Sequence, residues 1–452
     1  MTGVTTVSAQ SLIDHYRCPE AFVNLRLQGP LSEEAGFFRF GSDITCYGRS
    51  SSGTRARSAH LPLYDVSNDV KVQGSELFLP FDPTEIIDNL RWERYTAVDS
   101  RIRKLAKDAY YALRPWLSDG VRRLIQRASA SNRGKLTFPQ WPVDTTVDDI
   151  CQKVMLFSIA ALGVDRIPFI WFWPKGARGC VLITHDVETE TGRDFCQTVM
   201  DIDDAFGVKA AFQIVPEERY VVSKEWLATI RERGFELGVQ DLNHDGRLFD
   251  DRQEFLRRAE KINRYGREWS ANGFRAAVLY RRPDWLSSLD FAFDMSIPNV
   301  AHLDPQGGGC CTVMPYFIGD ILELPVTTTQ DYMLLNLLGQ VSIDLWQTQI
   351  EQITEKNGLA SFIIHPDYLA EPRSRAIYES LLGYLRESAV RNQTWFALPS
   401  AIHQWWRARS KMEVVADGDS WRIEGERAED AVLAYAKSDG DRLVYDLQMA
   451  TA

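Results

Sequence analysis

From about residue 178 onward, short runs of apolar and β-branched residues alternate with longer amphipathic stretches. This alternation is typical of βα units, in which each strand is followed by a helix that packs on the sheet. Eight strands with intervening helices predict an α/β fold in which the strands form a barrel. The predicted strands are 181–186, 210–215, 235–240, 274–279, 293–298, 321–327, 361–365 and 395–399.

The helical segments predicted between these strands include 217–233 and 252–269, each with start and stop signals at its ends. Residues 1–177 lack the βα rhythm and are predicted to form an N-terminal α+β accessory domain of unknown role. Residues 178–410 are predicted to form the barrel. Residues 411–452 alternate polar and apolar side chains and are predicted to form a small β-rich C-terminal extension.

The charge balance limits the classes of partner. The 452 residues include 51 Lys and Arg against 62 Asp and Glu, a net charge of −11. A surface of this sign repels phosphate backbones, so we expect no nucleic-acid partner. The seven cysteines do not form the spaced framework of a disulfide-bonded secreted domain, and the N-terminus resembles no signal peptide. We therefore expect a cytoplasmic protein with reduced thiols.

One strongly basic helical stretch, residues 98–128, stands apart from the acidic average. Such a stretch is usually a solvated helix face. If its cations cluster, an anionic partner becomes an alternative, such as a lipid diphosphate, a nucleotide or an anionic membrane surface. No feature of the sequence fixes the oligomeric state.

Residues that bind metals or transfer protons stand near the ends of the predicted strands. In an α/β barrel the carboxyl ends of all strands open onto one face, where active sites are built. His185, by contrast, is expected to be a hydrogen-bonded core residue. The candidate site residues are Asp186, Glu188, Gln240, His244, Arg275 and His365.

The spacing of these residues suggests how they come together. Asp186 and Glu188 stand at positions i and i+2, on the same side of an extended chain. Gln240 and His244 are four residues apart, which places them on one face if a helical turn begins there. Arg275 stands near the start of the predicted fourth strand, and His365 at the end of the seventh.

Five segments in this order resemble the motifs of the NodB-homology polysaccharide deacetylases, carbohydrate esterase family four. They are ITHDVE, ELGVQDLNHDG, GFRAA, FDMSIP and FIIHPDY, and the resemblance covers residues 178 to about 408. It implies the distorted barrel of that family. It also implies metal-dependent hydrolysis of an N-acetyl or other N-acyl group on a sugar of a surface polysaccharide or its precursor. The substrate would be a carbohydrate, either free or linked to a lipid or nucleotide.

The resemblance also implies roles for individual residues. Asp186 would be the base and His365 the acid that protonates the leaving amine. Arg275 would orient Asp186 and lower its pKa by charge pairing. The metal ligands would be Glu188, the side chain at position 240 and His244, holding a divalent ion, most simply zinc.

The sequence departs from the family pattern in two ways. Val187 stands where a rigid count places the metal-binding aspartate, so Glu188 serves only in a spaced variant of the motif. Gln240 replaces the first histidine of the second motif, and its neutral amide oxygen is a weaker zinc ligand than imidazole. Three explanations stay open: a working enzyme with an unusual metal set, a natural pseudoenzyme, or a substitution introduced to inactivate the enzyme.

The function therefore has alternatives at the sequence level. One is a catalytically silent protein that binds glycan without cleaving it. Another is an amidase or deformylase of a small non-sugar metabolite, because the motifs define hydrolysis of a C–N bond better than they define the substrate.

Overall fold

The computed structural model describes residues 7–96 and 136–448. The predicted basic helical stretch, residues 98–128, lies outside the described residues. Within the described ranges, no helix has both the length and the apolar character needed to cross a bilayer.

The segment before the barrel combines short helices with small sheets. A core of buried aromatic and aliphatic side chains, including Phe38, Phe81 and Trp405, packs this segment against the last barrel helix. The helices and strands up to residue 170 are α1 (Gln10–Tyr16), β1 (Leu25–Leu27), β2 (Gly36–Arg39), β3 (Thr45–Gly48), β4 (Lys71–Gln73), β5 (Glu76–Leu79), α2 (Pro83–Arg91), α3 (Thr146–Leu162) and β6 (Arg166–Ile170).

The following region carries the predicted alternation of strands and helices. Its strands are β7 (Cys180–Val187), β8 (Ala211–Ile214), β9 (Glu236–Gln240), β10 (Gly273–Arg275), β11 (Phe293–Asp294), β12 (Tyr316–Ile318), β13 (Ile321–Glu323), β14 (Leu359–Ile364) and β15 (Trp395–Phe396). Its helices are α4 (Glu190–Ala205), α5 (Lys224–Glu232), α6 (Arg252–Glu268), α7 (Asp344–Glu355), α8 (Pro366–Leu369), α9 (Pro372–Asn392) and α10 (Pro399–Arg409).

These strands form one curled sheet in the order β12, β13, β11, β10, β9, β8, β7 and β14, with β15 also paired to β7. All neighbouring pairs are parallel except β12 and β13, which are antiparallel. The strand order confirms the predicted distorted (β/α) barrel. Parallel pairing brings the carboxyl ends of the strands to one edge, where the candidate residues stand.

The described residues after the barrel form two hairpins, β16 (Glu413–Asp417) with β17 (Ser420–Glu424) and β18 (Leu433–Asp439) with β19 (Arg442–Gln448). Strand β18 also pairs antiparallel with β6, with Ala434 opposite Phe169. The C-terminal strands thus extend a sheet that begins before the barrel. The division of the chain into three domains stays a prediction.

Several local predictions differ from the structure. The strands predicted over 274–279, 293–298, 321–327 and 395–399 are shorter than predicted, and β12 was not predicted. The helix predicted over 217–233 spans only Lys224–Glu232, because the Ser223 side chain accepts a hydrogen bond from Trp226 N and caps the helix there. Arg275 ends strand β10 instead of starting a strand, since the chain turns into a 3₁₀ helix at Ala277–Leu279. The corrected position places Arg275 at the carboxyl edge of the sheet.

Side-chain hydrogen bonds connect the segment after β13 to β14 and so close the curled sheet. The Thr327 hydroxyl donates to Leu359 O at 2.6 Å and accepts from Ser361 N at 2.9 Å. Thr328 N and its hydroxyl both donate to Ser361 O, at 3.3 and 2.7 Å. All these residues are buried, so the hydroxyls replace a ladder of backbone hydrogen bonds.

We expect Thr327→Val to destabilise the protein by about 2 kcal/mol or more. Valine has nearly the same shape, but it leaves the buried Leu359 carbonyl and Ser361 amide without their partner, and each unsatisfied group costs about 1–3 kcal/mol. Urea unfolding followed by circular dichroism measures the change. The matched control is Thr229→Val, which removes an exposed hydroxyl bonded to Glu225 O on α5 and should shift stability by less than about 0.5 kcal/mol. Equal stabilities of the two variants would contradict a closing role for Thr327.

Candidate active site

Strand β7 delivers two carboxylates to the inside of the barrel. It is buried along its whole length, and its side chains alternate between the barrel interior and the helix-covered outer face. Thr184 and Asp186 face inward, where both contact Arg275. The strand ends just before Glu188, because the Thr189 side chain accepts a hydrogen bond from Gly192 N and starts helix α4.

His185 faces the opposite side of the strand. Its Nε2 lies 2.9 Å from Asp203 Oδ2, and the Tyr378 hydroxyl donates to the other oxygen of that carboxylate at 2.6 Å. All three side chains are buried. His185 thus occupies the core position that the sequence predicts.

Asp186 and Arg275 form a buried ion pair. Arg275 Nη1 lies 3.2 and 3.3 Å from the two carboxylate oxygens, and Nη2 donates to the Thr184 hydroxyl at 3.1 Å. The predicted pairing is therefore present. The expected lowering of the Asp186 pKa is wrong, because burial raises that pKa and outweighs the lowering effect of Arg275 and the nearby histidines.

Gln240 bridges the two carboxylates of the β7 segment. It ends β9, in register with Arg275. Its Nε2 donates to Asp186 Oδ2 and to Glu188 Oε1, both at 3.2 Å. The Gln240 Oε1 atom is buried and accepts no hydrogen bond from the described residues. The amide thus presents its N–H group to the carboxylates and keeps its oxygen as a free acceptor.

His244 reaches the same place through an unusual turn. The helical turn predicted between Gln240 and His244 is wrong, because Asp241 and His244 have left-handed backbone, with φ of 52° and 56°. Such conformations cost about 1–2 kcal/mol per residue and persist where the surrounding structure fixes them. The turn places His244 Nε2 2.7 Å from Glu188 Oε1.

Glu188 is the centre of the cluster. In addition to Gln240 and His244, it has His365 Nε2 at 3.5 Å from its Oε1. Burial alone would raise the pKa of Glu188, but the charge and hydrogen bond of His244 and those of His365 hold it well below its ordinary value. Burial alone would lower the pKa of His244, but the charge and hydrogen bond of Glu188 together with the charge of Asp241 raise it.

Asp331 fixes the orientation of His365 and was missed in the sequence. Its carboxylate lies 2.6 Å from His365 Nδ1 and accepts a hydrogen bond from the His365 backbone N at 2.7 Å. Pro366 restricts His365 to the extended backbone seen here, φ −99° and ψ 121°. Because Asp331 occupies Nδ1, the other ring nitrogen faces Glu188. Asp331 belongs to none of the five motifs, and the sequence shows only that an acid is present in the loop after β13.

Two tyrosines flank this histidine at the open end of the barrel. The Tyr368 ring lies 5.2 Å from the His365 ring and stacks on Tyr332 at 5.8 Å. Tyr332 directly follows Asp331, so the loop that orients the histidine also supplies part of its aromatic cover.

The structure brings all six predicted residues into one connected cluster. Three of them, Asp186, Glu188 and His365, each offer a ligand atom, and these atoms lie within 4.8 Å of one another. Carboxylate oxygens and an imidazole nitrogen are ligands that zinc accepts. The cluster combines the groups needed to hold a divalent cation, accept a proton and donate one.

Comparison with known proteins found similar chains among solved structures alone. No family model and no curated protein matches it. Among solved structures, it is similar to a Mycobacterium smegmatis protein provisionally named a polysaccharide deacetylase, with 18% identity over 56% of this chain and 98% of that chain and a TM-score of 0.45.

Two further structures show weaker similarity. One is the CE4 domain of a multidomain xylanase from the hindgut metagenome of Trinervitermes trinervoides, with 13% identity over 51% of this chain and 92% of that chain and a TM-score of 0.32. The other is a Bordetella bronchiseptica protein provisionally named a polysaccharide deacetylase involved in O-antigen biosynthesis, with 18% identity over 56% and 88% and a TM-score of 0.30. The description of the barrel rests on the strand order and strand pairing given above.

We expect Asp331→Asn to lower the pKa of His365 by at least about one unit, the smaller end of the effect of an adjacent opposite charge. Burial disfavours the imidazolium, and the Asp331 charge and hydrogen bond overcome burial and hold the pKa well above its ordinary value. Removing that charge leaves only the Glu188 contact to oppose the effect of burial. NMR titration of the imidazole in metal-free protein measures the change.

The control for this titration is Asp290→Asn, which alters an exposed acid paired with Arg267. It should leave the His365 titration in place. A His365 pKa that is the same in the Asp331 variant and the parent protein would show that another group sets the charge state of the ring.

Proposed function

We propose that the protein hydrolyses an N-acyl group, most simply N-acetyl, from a sugar of a surface polysaccharide or its precursor. The carrying observation is the cluster of acids and imidazoles at the carboxyl edge of the barrel sheet, with Glu188 at its centre. Amide hydrolysis needs a base, an acid and a polarising cation, and this cluster offers groups for each.

Asp186 is the proposed base. The Arg275 and Gln240 contacts fix its orientation. Its raised pKa makes the ionised form a stronger proton acceptor than a carboxylate in water. The burial that raises the pKa also excludes competing water from the carboxylate.

His365 is the proposed acid. Asp331 holds its Nδ1 and supports the charged ring, so Nε2 is the nitrogen from which a proton can reach a leaving amine in the barrel. The proposed base and acid both lie beside Glu188, since ligand atoms of Asp186, Glu188 and His365 lie within 4.8 Å of one another.

A divalent ion, most simply zinc, is proposed to be held by Glu188, His244 and the amide oxygen of Gln240. Two observations support this set: Glu188 Oε1 lies 2.7 Å from His244 Nε2, and Gln240 Oε1 is a buried acceptor without a described donor. The ligand atoms that lie within 4.8 Å of one another belong instead to Asp186, Glu188 and His365, so the proposed base and acid border the same space. Turning the amide over exchanges its nitrogen and oxygen, which have nearly the same shape. When bound, the ion would polarise the acyl oxygen and activate water.

Gln240 also supports a second candidate, a glycan-binding protein without hydrolysis. As oriented here, its N–H group lies between both carboxylates, where a cation would otherwise compensate them. An amide oxygen is also a weaker zinc ligand than imidazole. The cytoplasmic location and a lipid- or nucleotide-linked form of the sugar are further parts of the proposal.

We expect zinc-supplemented protein to release free amine from N-acetylated sugars, and Asp186→Asn to lower turnover by about 100-fold or more while still binding the sugar. The asparagine keeps the shape of the side chain but cannot accept the proton. The test compares soluble N-acetylated oligosaccharides, nucleotide-linked and lipid-linked N-acetyl sugars and small N-acyl metabolites, with amine release as the readout. Asp290→Asn is the control that should retain activity. Release from small metabolites alone would refute the sugar substrate.

We expect Gln240→His to raise zinc affinity by at least about tenfold, the scale on which even outer-shell ligand changes act. Imidazole is a stronger zinc ligand than the glutamine amide, and it cannot donate two N–H bonds to both carboxylates at once. Calorimetric zinc titration of both proteins measures the change. Equal affinities would exclude position 240 as a ligand position. Tighter binding without amine release in either protein would favour the silent glycan-binding protein.

A further inference from the structure

The loop between β8 and α5 lies against the segment that carries Glu188. Arg219 Nε donates to Glu188 O at 3.1 Å. The Tyr220 hydroxyl donates to Val187 O at 2.6 Å and accepts from Val215 N at 3.0 Å. Two consecutive side chains of the loop are therefore bonded to two consecutive carbonyl groups beside the centre of the cluster. The proposed reaction gives neither of these side chains a role.

A residue with left-handed backbone directly precedes Arg219. Glu218 has φ of 69°, a conformation that is unfavourable for a residue with a side chain and persists where contacts fix it. One such contact is present, since Asn243 Nδ2 donates to Glu218 Oε2 at 3.3 Å. Asn243 is the chain neighbour of His244. The position of Arg219 is thus fixed from two sides, by the segments that carry Glu188 and His244.

The positive charge of Arg219 is not balanced by an acid of the described residues. Arg219 is exposed, and within the described ranges its Nη1 and Nη2 atoms have no hydrogen bond or ion pair. The two acids that precede it have other partners. Glu217 lies 3.3 Å from Lys261 Nζ and accepts from the Tyr265 hydroxyl at 3.2 Å. Glu218 has the amide contact given above. The loop therefore holds a cation that is available to a ligand.

The remaining atoms of this guanidinium suit an oxyanion. Nε is committed to a carbonyl group, so Nη1 and Nη2 form the free edge of the planar group. Two parallel N–H bonds from such an edge match two oxygens of a phosphate or carboxylate group. The acids of the cluster, Asp186 and Glu188, repel any anion that approaches them, so an anionic ligand needs a cation at this rim.

We propose that Arg219 binds a phosphate group carried by the acylated sugar, so that phosphate-linked sugars are preferred over neutral ones. Nη1 and Nη2 donate to two phosphate oxygens, while Nε keeps its bond to Glu188 O and holds the phosphate beside the cluster. Phosphate is the chemistry shared by nucleotide-linked and lipid-linked sugars. The choice of a sugar as the rest of the ligand rests on the proposed function.

Calorimetric titration with two ligands that differ only in the phosphate tests the proposal without any need for activity. The probes are N-acetylglucosamine 1-phosphate and N-acetylglucosamine, and the full-length protein is kept free of metal because phosphate also binds metal ions directly. We expect the phosphate to tighten binding by about tenfold or more, the scale of one hydrogen bond between charged groups. In Arg219→Ala the two affinities should lie within about twofold of each other.

Two further variants separate direct binding from other effects. Arg219→Lys keeps the positive charge but lacks the planar fork, so the preference for phosphate should fall without vanishing. Arg267→Ala is the matched control, since it removes an exposed arginine paired with Asp290 and should keep the full preference. If Arg219→Ala weakens both ligands equally, the residue only holds Glu188 in place and the proposal is overturned. An unchanged preference for phosphate in Arg219→Ala would overturn it as well.

Kinetics with zinc-supplemented protein extend the test to the reaction. The kcat/KM for amine release should be about tenfold or more higher for phosphate-bearing than for neutral N-acetyl sugars, and Arg219→Ala should lose this difference through a higher KM for the phosphate-bearing substrate. A nucleotide diphosphate and a short-chain lipid diphosphate of the same sugar distinguish the two sources of phosphate. Equal kcat/KM for phosphate-bearing and neutral sugars in the parent protein would contradict the selectivity.

If the parent protein releases no amine from any substrate, the proposed function fails, and calorimetry still decides whether Arg219 binds phosphate. The two failures are therefore distinguishable. Amine release by the parent protein with no preference for phosphate in calorimetry would reject the role of Arg219 and leave the hydrolase proposal standing.

Discussion

Two carboxylates two positions apart, the buried Asp186 and the partly buried Glu188, impose the main constraint on this structure. A carboxylate out of water costs several kcal/mol unless cations and hydrogen bonds surround it. Arg275 pairs with Asp186, and His244 lies against Glu188. The Gln240 amide donates to both acids. The carboxyl edge of the sheet is thus arranged around compensation of these two charges.

The compensation changes what each group can do. At Asp186 the effect of burial exceeds that of the neighbouring cations and raises the pKa. At Glu188 the two imidazoles together exceed the effect of burial and lower the pKa. Two acids that differ by two positions in the chain therefore have opposite tendencies to hold a proton. Opposite shifts in neighbouring acids are a feature of sites that separate the roles of base and ligand.

The barrel can hold such a site because its strands are short and its loops fix the side chains beyond them. The Thr327 hydroxyl and its neighbours close the sheet next to β14, the strand that leads to His365. The loop after β13 then returns Asp331 to that histidine. A single closing segment thus links the stability of the barrel to the orientation of the proposed acid.

The sequence determined a large part of this description. Periodicity indicated the strands and the parallel barrel, because a buried strand and an amphipathic helix leave different apolar patterns. The motif order indicated Asp186, Glu188, His244, Arg275 and His365, and all of them meet at one edge of the sheet.

The tertiary structure decided what local patterns do not encode. Asp331 contacts His365 across 34 positions of chain, and Asp294 lies in register with Glu323 on the neighbouring strand. In the sequence, neither pair has a spacing that predicts the proximity of its two members, and the acids look like ordinary surface acids. The direction of the Asp186 pKa also needed the fold, since Arg275 alone predicts lowering and only the depth of burial reverses it. Residue order specifies which strands form, but charge balance in a buried site depends on the residues that distant loops bring to it.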